Sequence, residues 1–354
     1  MISFCFCVQS RADRQPERIW RPGLRSNICI NFMKKFTVLF LLLTFFSSDA
    51  SAQNQPRPGK YKPELFAPGV ITTGDNEFAA TFAPDGKTVY FSKSDFRLKV
   101  LVILFSRFER GRWSEPEIAP FSGRWNDLDP YITPDGNKLF FASNRPLSGT
   151  GEPKKDYDLW QVEKTAIGDW SEPRNLGQNV NGDGHETTTA VTLDGTLYVA
   201  AERKEGKGGR DLYKTRLTNG EYAPLESLGD LFNTAQDDSN QYVAPDGSFI
   251  IFNSSRPKEQ SGPDLYVSYN ENGKWTAPEL IGGGLIDSQF IIAPTITPDG
   301  KYFVYSSNKG LFDEPRNGKL TYRELINRIR NPRNGFADIY RVELEALKLK
   351  RKLP

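Results

Sequence analysis

The amino-acid sequence predicts an all-β fold: a five-bladed β-propeller of four-stranded blades. Three observations carry that reading. A turn of the Pro-Asp-Gly type recurs at Pro84-Asp85-Gly86, Pro134-Asp135-Gly136, Leu193-Asp194-Gly195, Pro245-Asp246-Gly247 and Pro298-Asp299-Gly300, with Asp-to-Asp spacings of 50, 59, 52 and 53. Aromatic or β-branched residues follow each turn. The last repeat lacks a final strand, and the front of the chain supplies one. A period of about 50 residues is that of a propeller blade. Six blades, one of them degenerate, is the alternative.

In each repeat strand a ends at the turn, where Asp-Gly between apolar runs closes a hairpin and Gly supplies φ > 0. Strand b follows as Val89-Tyr90-Phe91, Leu139-Phe140-Phe141, Leu197-Tyr198-Val199, Ile250-Ile251-Phe252 and Phe303-Val304-Tyr305. Three consecutive apolar residues imply burial on both faces. Strand c carries Asp158-Leu159-Trp160, Asp211-Leu212-Tyr213, Asp264-Leu265-Tyr266 or Asp338-Ile339-Tyr340; the first repeat has Ile103-Leu104-Phe105 and no Asp. Strand d is an aromatic-then-Pro element: Trp113…Pro116, Trp170…Pro173, Tyr222…Pro224 and Trp275…Pro278. The fifth repeat stops at strand c, and Tyr61-Lys62-Pro63-Glu64-Leu65 is the missing piece. Residues 61–72 should therefore pair with the strand around Asp338 and close the ring.

The repeat Asp127…Pro134-Asp135-Gly136…Phe140-Phe141-Ala142-Ser143-Asn144-Arg145…Asp158-Leu159-Trp160 resembles the TolB-type, WD40-like β-propeller repeat of exported bacterial proteins. The resemblance spans residues 61–340. It implies a propeller that serves as a binding platform and is unspecific about activity.

All three cysteines (Cys5, Cys7, Cys29) and both methionines fall within residues 1–33. From Met33 the chain reads as a secretory signal: Lys34-Lys35, an apolar stretch over residues 36–46, then Ala50-Ser51-Ala52 before Gln53. That stretch is too short to span a bilayer, which takes about 20 residues. Residues 1–32 are thus expected to be a misassigned extension, 33–52 the signal, and 53–354 a single propeller domain, periplasmic or secreted after cleavage near Ala52. Beyond residue 52 the charge is 39 Lys/Arg against 41 Asp/Glu, so nothing in the balance suggests nucleic acid. A mature chain without Cys has no disulfide framework or thiol chemistry, and one His excludes sites built from two or three imidazoles. No cofactor and no metal is expected, no membrane span in the mature chain, and a monomer.

Strand a runs down from one face, called the top, so the d–a and b–c connections share that face. Strand a begins with Glu77, Asp127, Glu186, Asp238 and Ile291 in turn. The four acids are expected to ring the top mouth of the central channel, with Asp129 and Asn240 two positions further on the same side. Strands b end near the acids with Arg145, Arg203, Arg256 and Lys309. In one reading acids and bases tie strand ends together, worth about 0–1 kcal/mol per exposed pair. In the other the ten residues contact a ligand.

Further features share the top. The b–c connection of blade 5, residues 311–337, is long enough to cover the channel, and residues 321–330 within it read as a short helix ahead of Pro332. Loops 147–157 and 204–210 and the aromatic Trp125 lie on that face too. His185, beside Glu186 and Asp183, reads as a solvated side chain in a Gly-rich connection, since spacing names no nucleophile for it. Residues 179–184 faintly resemble the start of a calcium loop, but Ala190 stands where the bidentate Glu belongs. The tail at 348–352 reads as a solvated end.

Two functions fit: a non-enzymatic exported propeller binding a protein or glycan through its top face, or a glycan hydrolase using Asp127, Glu186 and Asp238. Hydrolysis needs two carboxyls about 5–10 Å apart in different environments, whereas these acids follow the repeat.

Overall fold

Strand b sits at the centre of each blade, and its burial explains why the apolar triplets recur. Val89, Leu139, Val199, Ile250 and Phe303 are all fully buried. The computed structural model describes residues 61–256, 264–281, 291–309 and 318–351; the segments 1–32 and 33–52 and the start of the blade 5 connection lie outside the described residues. Five antiparallel sheets make a five-bladed propeller, which excludes the six-bladed alternative. Their inner strands a are Asn76–Phe82, Asp127–Ile132, Glu186–Val191, Asp238–Val243 and Ile291–Ile296. Strands b are Thr88–Ser94, Lys138–Ser143, Thr196–Glu202, Phe249–Ser254 and Tyr302–Ser307. Strands c are Leu101–Glu109, Asp158–Glu163, Arg210–Thr218, Asp264–Glu271 and Asp338–Glu343.

The five hairpin turns are built alike. Asp85, Asp135, Asp194, Asp246 and Asp299 each accept a hydrogen bond from the backbone N–H two residues on, at 2.8–3.1 Å. The following glycines take φ between +65° and +82°, the left-handed region that Gly enters without steric cost.

Strand d departs from the simple expectation. In blade 1 it is two short pieces, Arg112–Trp113 and Glu117–Ile118, both paired with strand c; blades 3 and 4 repeat the split. In blade 2 only Arg174–Asn175 forms a strand. The prolines between the pieces lack the N–H a continuous ladder needs.

Closure follows the expected route. Glu64–Leu65 pairs antiparallel with strand c of blade 5, Glu64 opposite Arg341 and Leu65 opposite Tyr340. Phe66 and Ile71, buried, pack with Phe82 and Val89 of blade 1 and with Val304 and Ile339 of blade 5, so this segment fills the seam between the first and last blades. The other buried clusters also bridge neighbouring blades. Burial of each large apolar side chain there contributes about 1.5–3 kcal/mol.

The helix in the blade 5 connection, α1, spans Tyr322–Arg330 and starts at a capping box between Thr321 and Glu324. At the C-terminus Lys348, Lys350 and Arg351 are exposed, as expected of a solvated end, and the chain is docked just before them. Leu344–Leu347 form a 3₁₀ turn with Ala346 and Leu347 buried, and the Lys350 N–H donates to the Tyr269 hydroxyl at 3.0 Å.

Candidate functional site at the channel mouth

Every strand a carries a β-bulge, between Phe78/Thr81, Leu128/Tyr131, Glu186/Thr189, Ser239/Tyr242 and Ile292/Thr295. In four blades the extra residue is left-handed: Ala79, Asp129, Asn240 and Ala293 have φ of +50° to +55°. Asp and Asn enter that region more readily than other non-glycine residues. The bulge re-aims the strand, and these residues, with Thr188 of blade 3, line the central channel. Neighbouring blades satisfy the N–H groups freed from the ladder. Ser306 Oγ accepts from Ala79 (3.1 Å), Ser92 Oγ from Asp129 (3.0 Å), and Asn240 Oδ1 from Ala293 (3.3 Å). Thr188 and Gln241 join blades 3 and 4 by two more bonds, of 2.9 and 3.0 Å.

The channel is narrow. Its free volume is about 40 Å³, room for a few water molecules and far below the ~300–1,000 Å³ of a small-molecule pocket. Asp129 is partly exposed on its wall. Burial of the carboxyl pushes it up to about 6, opposed by the charge of Arg210. Arg210 is itself held by Asp237, at 2.8 Å from Oδ2.

The four acids at the strand starts are placed differently from the expected ring. Glu77, Asp127, Glu186 and Asp238 are 0% exposed, and none lines the channel. Each instead clamps the incoming d–a loop to the end of strand b. Glu77 accepts from the Thr73 N–H at 3.0 Å and pairs with Lys93 at 3.0 Å. Asp127 accepts from Ser122 Oγ (2.8 Å) and Arg145 Nη2 (2.7 Å). Glu186 accepts from the Gly182 N–H and pairs with Arg203. Asp238 accepts from the Thr234 N–H and the Ser254 hydroxyl, with Arg256 3.7 Å away. The correction has a physical cause: a loop leaving strand d exposes backbone N–H groups, and a carboxylate at the start of strand a satisfies them.

Three of the four bases named from sequence belong to these clamps. Arg145 and Arg256 share one geometry, each donating Nε to the serine two residues before it and Nη2 to a carbonyl of the preceding loop. Lys309 follows Ser307 with the same backbone turn, its N–H 3.3 Å from Ser307 Oγ. Lys93, the blade 1 counterpart, escaped notice because it lies inside the apolar-polar alternation of strand b rather than past its end. His185 accepts from the Tyr157 N–H through Nδ1 at 3.2 Å, another link between blades.

Sequence reasoning also passed over a second set of acids, read only as repeat markers. Asp158, Asp211 and Asp338, at the starts of strands c, are buried, and each faces an acid of the next blade. Glu186 is pushed up to about 7 by burial, with Asp158 adding repulsion against the pull of Arg203. Asp338 is pushed up to about 7 by burial, with Glu77 repelling it. Asp211 is raised for the same reasons, by burial and the charge of Asp238. A partial signal was present: Asp158 precedes Glu186 by 28 residues and Asp211 precedes Asp238 by 27, whereas Asp338 meets Glu77 only through ring closure.

Among the described residues no cluster of three or more His, Cys, Asp or Glu could hold a metal, and no helix is long and apolar enough to cross a membrane.

No family model matches the sequence, and no curated protein does. Solved structures share the fold at low identity. TolB from Acinetobacter baumannii is 14% identical over 76% of this chain and 54% of its own length, with a TM-score of 0.44. A putative TolB from Agrobacterium tumefaciens is 17% identical over 76% of this chain and 90% of that one, also at 0.44. Zg3597, a family 117 glycoside hydrolase from Zobellia galactanivorans, is 14% identical over 82% and 92%, at 0.47. This chain spans about half the length of the first of them.

Proposed function

We propose that this is an exported, non-enzymatic β-propeller that binds a protein or a glycan through its top face, around a mouth formed by Asp129 and Asn240. The observation that supports this most is the channel itself: about 40 Å³ of free space, walled by a ring of residues to which all five blades contribute. A space of that size is far below a small-molecule pocket, which favours the surface around it for recognition. The clamps of Glu77, Asp127, Glu186 and Asp238 with Lys93, Arg145, Arg203 and Arg256, and the turn at Lys309, then serve to hold the contacting loops in place. Trp125, beneath Arg124 at 5.2 Å, and the loops 147–157 and 204–210 supply stacking and charged contacts. Export through the segment 33–52 places this surface in the periplasm or outside the cell.

The hydrolase reading needs an open pair of unlike carboxyls. Glu186 is raised as a general acid would be, but it is 0% exposed with both oxygens engaged. A glycan array and a turnover assay on the chain from Gln53 test the proposal. Trp125→Ala and Asp129→Asn should each weaken binding at least about tenfold without lowering stability. Turnover of any glycan, lost on substituting Asp127 or Glu186, overturns the non-enzymatic reading; binding indifferent to both variants overturns the site.

A further inference from the structure

Helix α1 carries Tyr322, Leu325 and Ile329 on one stripe, at the i, i+3, i+7 spacing of a single helix face. All three are exposed, and no residue of the helix is buried. A helix that covers nothing ordinarily frays, yet this one is fixed at both ends. The capping box holds its start. At its end the Arg330 carbonyl lies so close to Gly74 that a Cβ there would stand 2.1 Å from it, and Asn334 Nδ2 donates both to the Ile329 carbonyl and to the Gly74 carbonyl. The stripe is therefore exposed on a helix tied at both ends on the top face of blade 5.

The neighbouring top loop of blade 1 repeats the chemistry. Phe96 and Val100 are exposed, in a loop ordered by Asp95 accepting from the Lys99 and Val100 N–H groups. Bases surround both apolar groups. Lys319, Arg323 and Arg330 flank the helix stripe, and Arg97, whose guanidinium lies 4.9 Å from the Phe96 ring centre, and Lys99 flank the loop; all are exposed. Exposed apolar side chains set among exposed bases are the pattern of a surface that enters the headgroup region of an anionic bilayer.

We propose that the top face of blades 5 and 1 docks on an anionic lipid surface, with the α1 stripe and Phe96 as the inserting groups. A flat occupant fits better than a protein groove. A groove closing on α1 alone would leave out Phe96 and Val100, which lie exposed on a separate loop. The proposal is independent of the channel-mouth reading, since it uses none of Asp129, Asn240 or Trp125.

Sedimentation of the unit from Pro58 onward with vesicles of phosphatidylcholine, with and without phosphatidylglycerol, tests it. That unit contains the closed ring and lacks the apolar leader. Binding should require phosphatidylglycerol and weaken steeply with salt. Leu325→Glu with Ile329→Glu, and separately Arg323→Glu with Arg330→Glu, should each lower partitioning more than about tenfold, at roughly fivefold per base, with an unchanged melting temperature. Because helix variants can unseat α1, Phe96→Ser with Val100→Ser supplies a second arm on a different loop. Failure of the wild type to bind mixed vesicles, binding insensitive to all three pairs, or a concentration-dependent dimer through this face instead would overturn the proposal.

Discussion

Arg145 Nη2 lies 2.7 Å from Asp127 Oδ1, and both side chains are buried. The guanidinium also donates to Ser143 and to the Phe121 carbonyl, and lies 4.9 Å from the Phe141 ring centre. An exposed pair of this kind is nearly neutral. Burial changes the magnitude, because removing one partner leaves the other charge unpaired in a poor dielectric. Arg145→Ala should cost about 3–5 kcal/mol in urea unfolding. Arg216→Ala, which breaks the exposed pair with Asp194, should cost at most about 1 kcal/mol. Equal costs would show that the clamp adds nothing.

Ring closure rests on Phe66 and Ile71 in the seam between blades 5 and 1. Phe66→Ala should destabilise by about 3–5 kcal/mol. Removal of residues 53–72 should abolish cooperative unfolding, since it takes away a strand and the seam together. A truncated chain that melts within a few degrees of the intact one would contradict this.

The facing acids between blades make stability fall as pH rises. Asp338 moves from its ordinary 3.8 up to about 7 on folding, and Glu186 from 4.5 up to about 7. A raised carboxyl holds in the native state a proton that the unfolded chain releases. Its stabilising contribution is therefore complete below the unfolded value and is lost between about pH 4 and 7. Asp338 Oδ1 has no hydrogen-bond partner, so an amide there relieves a buried charge. Asp338→Asn should be more stable than wild type by about 2 kcal/mol at pH 8 and nearly equal near pH 4. Thermal melts at the two pH values measure the difference, and a constant offset would refute the assignment.

Gly74 is needed for space rather than for φ, since it is not among the left-handed glycines. Gly74→Ala should push the end of α1 off the ring and leave the blades intact. Trypsin cleavage at Arg328 or Arg330 should accelerate several-fold at an unchanged melting temperature. Vesicle binding should fall with it. An unaltered digestion rate would mean that the helix is held elsewhere.

The blade number, the turns and the borrowed strand were legible because each is local in origin. An Asp-Gly pair closes a hairpin by its own dihedrals and its own Asp hydrogen bond, and an apolar triplet declares a two-sided burial. The strand-c acids show where legibility ends. Asp338 and Glu77 are 261 residues apart, and nothing local reports that closure brings their charges together. Asp129 and Asn240 were named as channel residues by strand alternation; what places them on the wall is the bulge, which alternation alone does not contain.

By itself the sequence determined the five-blade architecture, the closure by residues 61–72 and the short helix of the blade 5 connection. These follow from periodicity and turn chemistry, which act over a few residues. Only the tertiary structure decided which carboxylates are spent and which are open. That outcome depends on the distance between blades and on the backbone N–H groups of the incoming loops. It buried Glu77, Asp127, Glu186 and Asp238 in clamps, narrowed the channel to a few waters, and left the α1 stripe facing out because Gly74 lets the ring hold the helix only by its end.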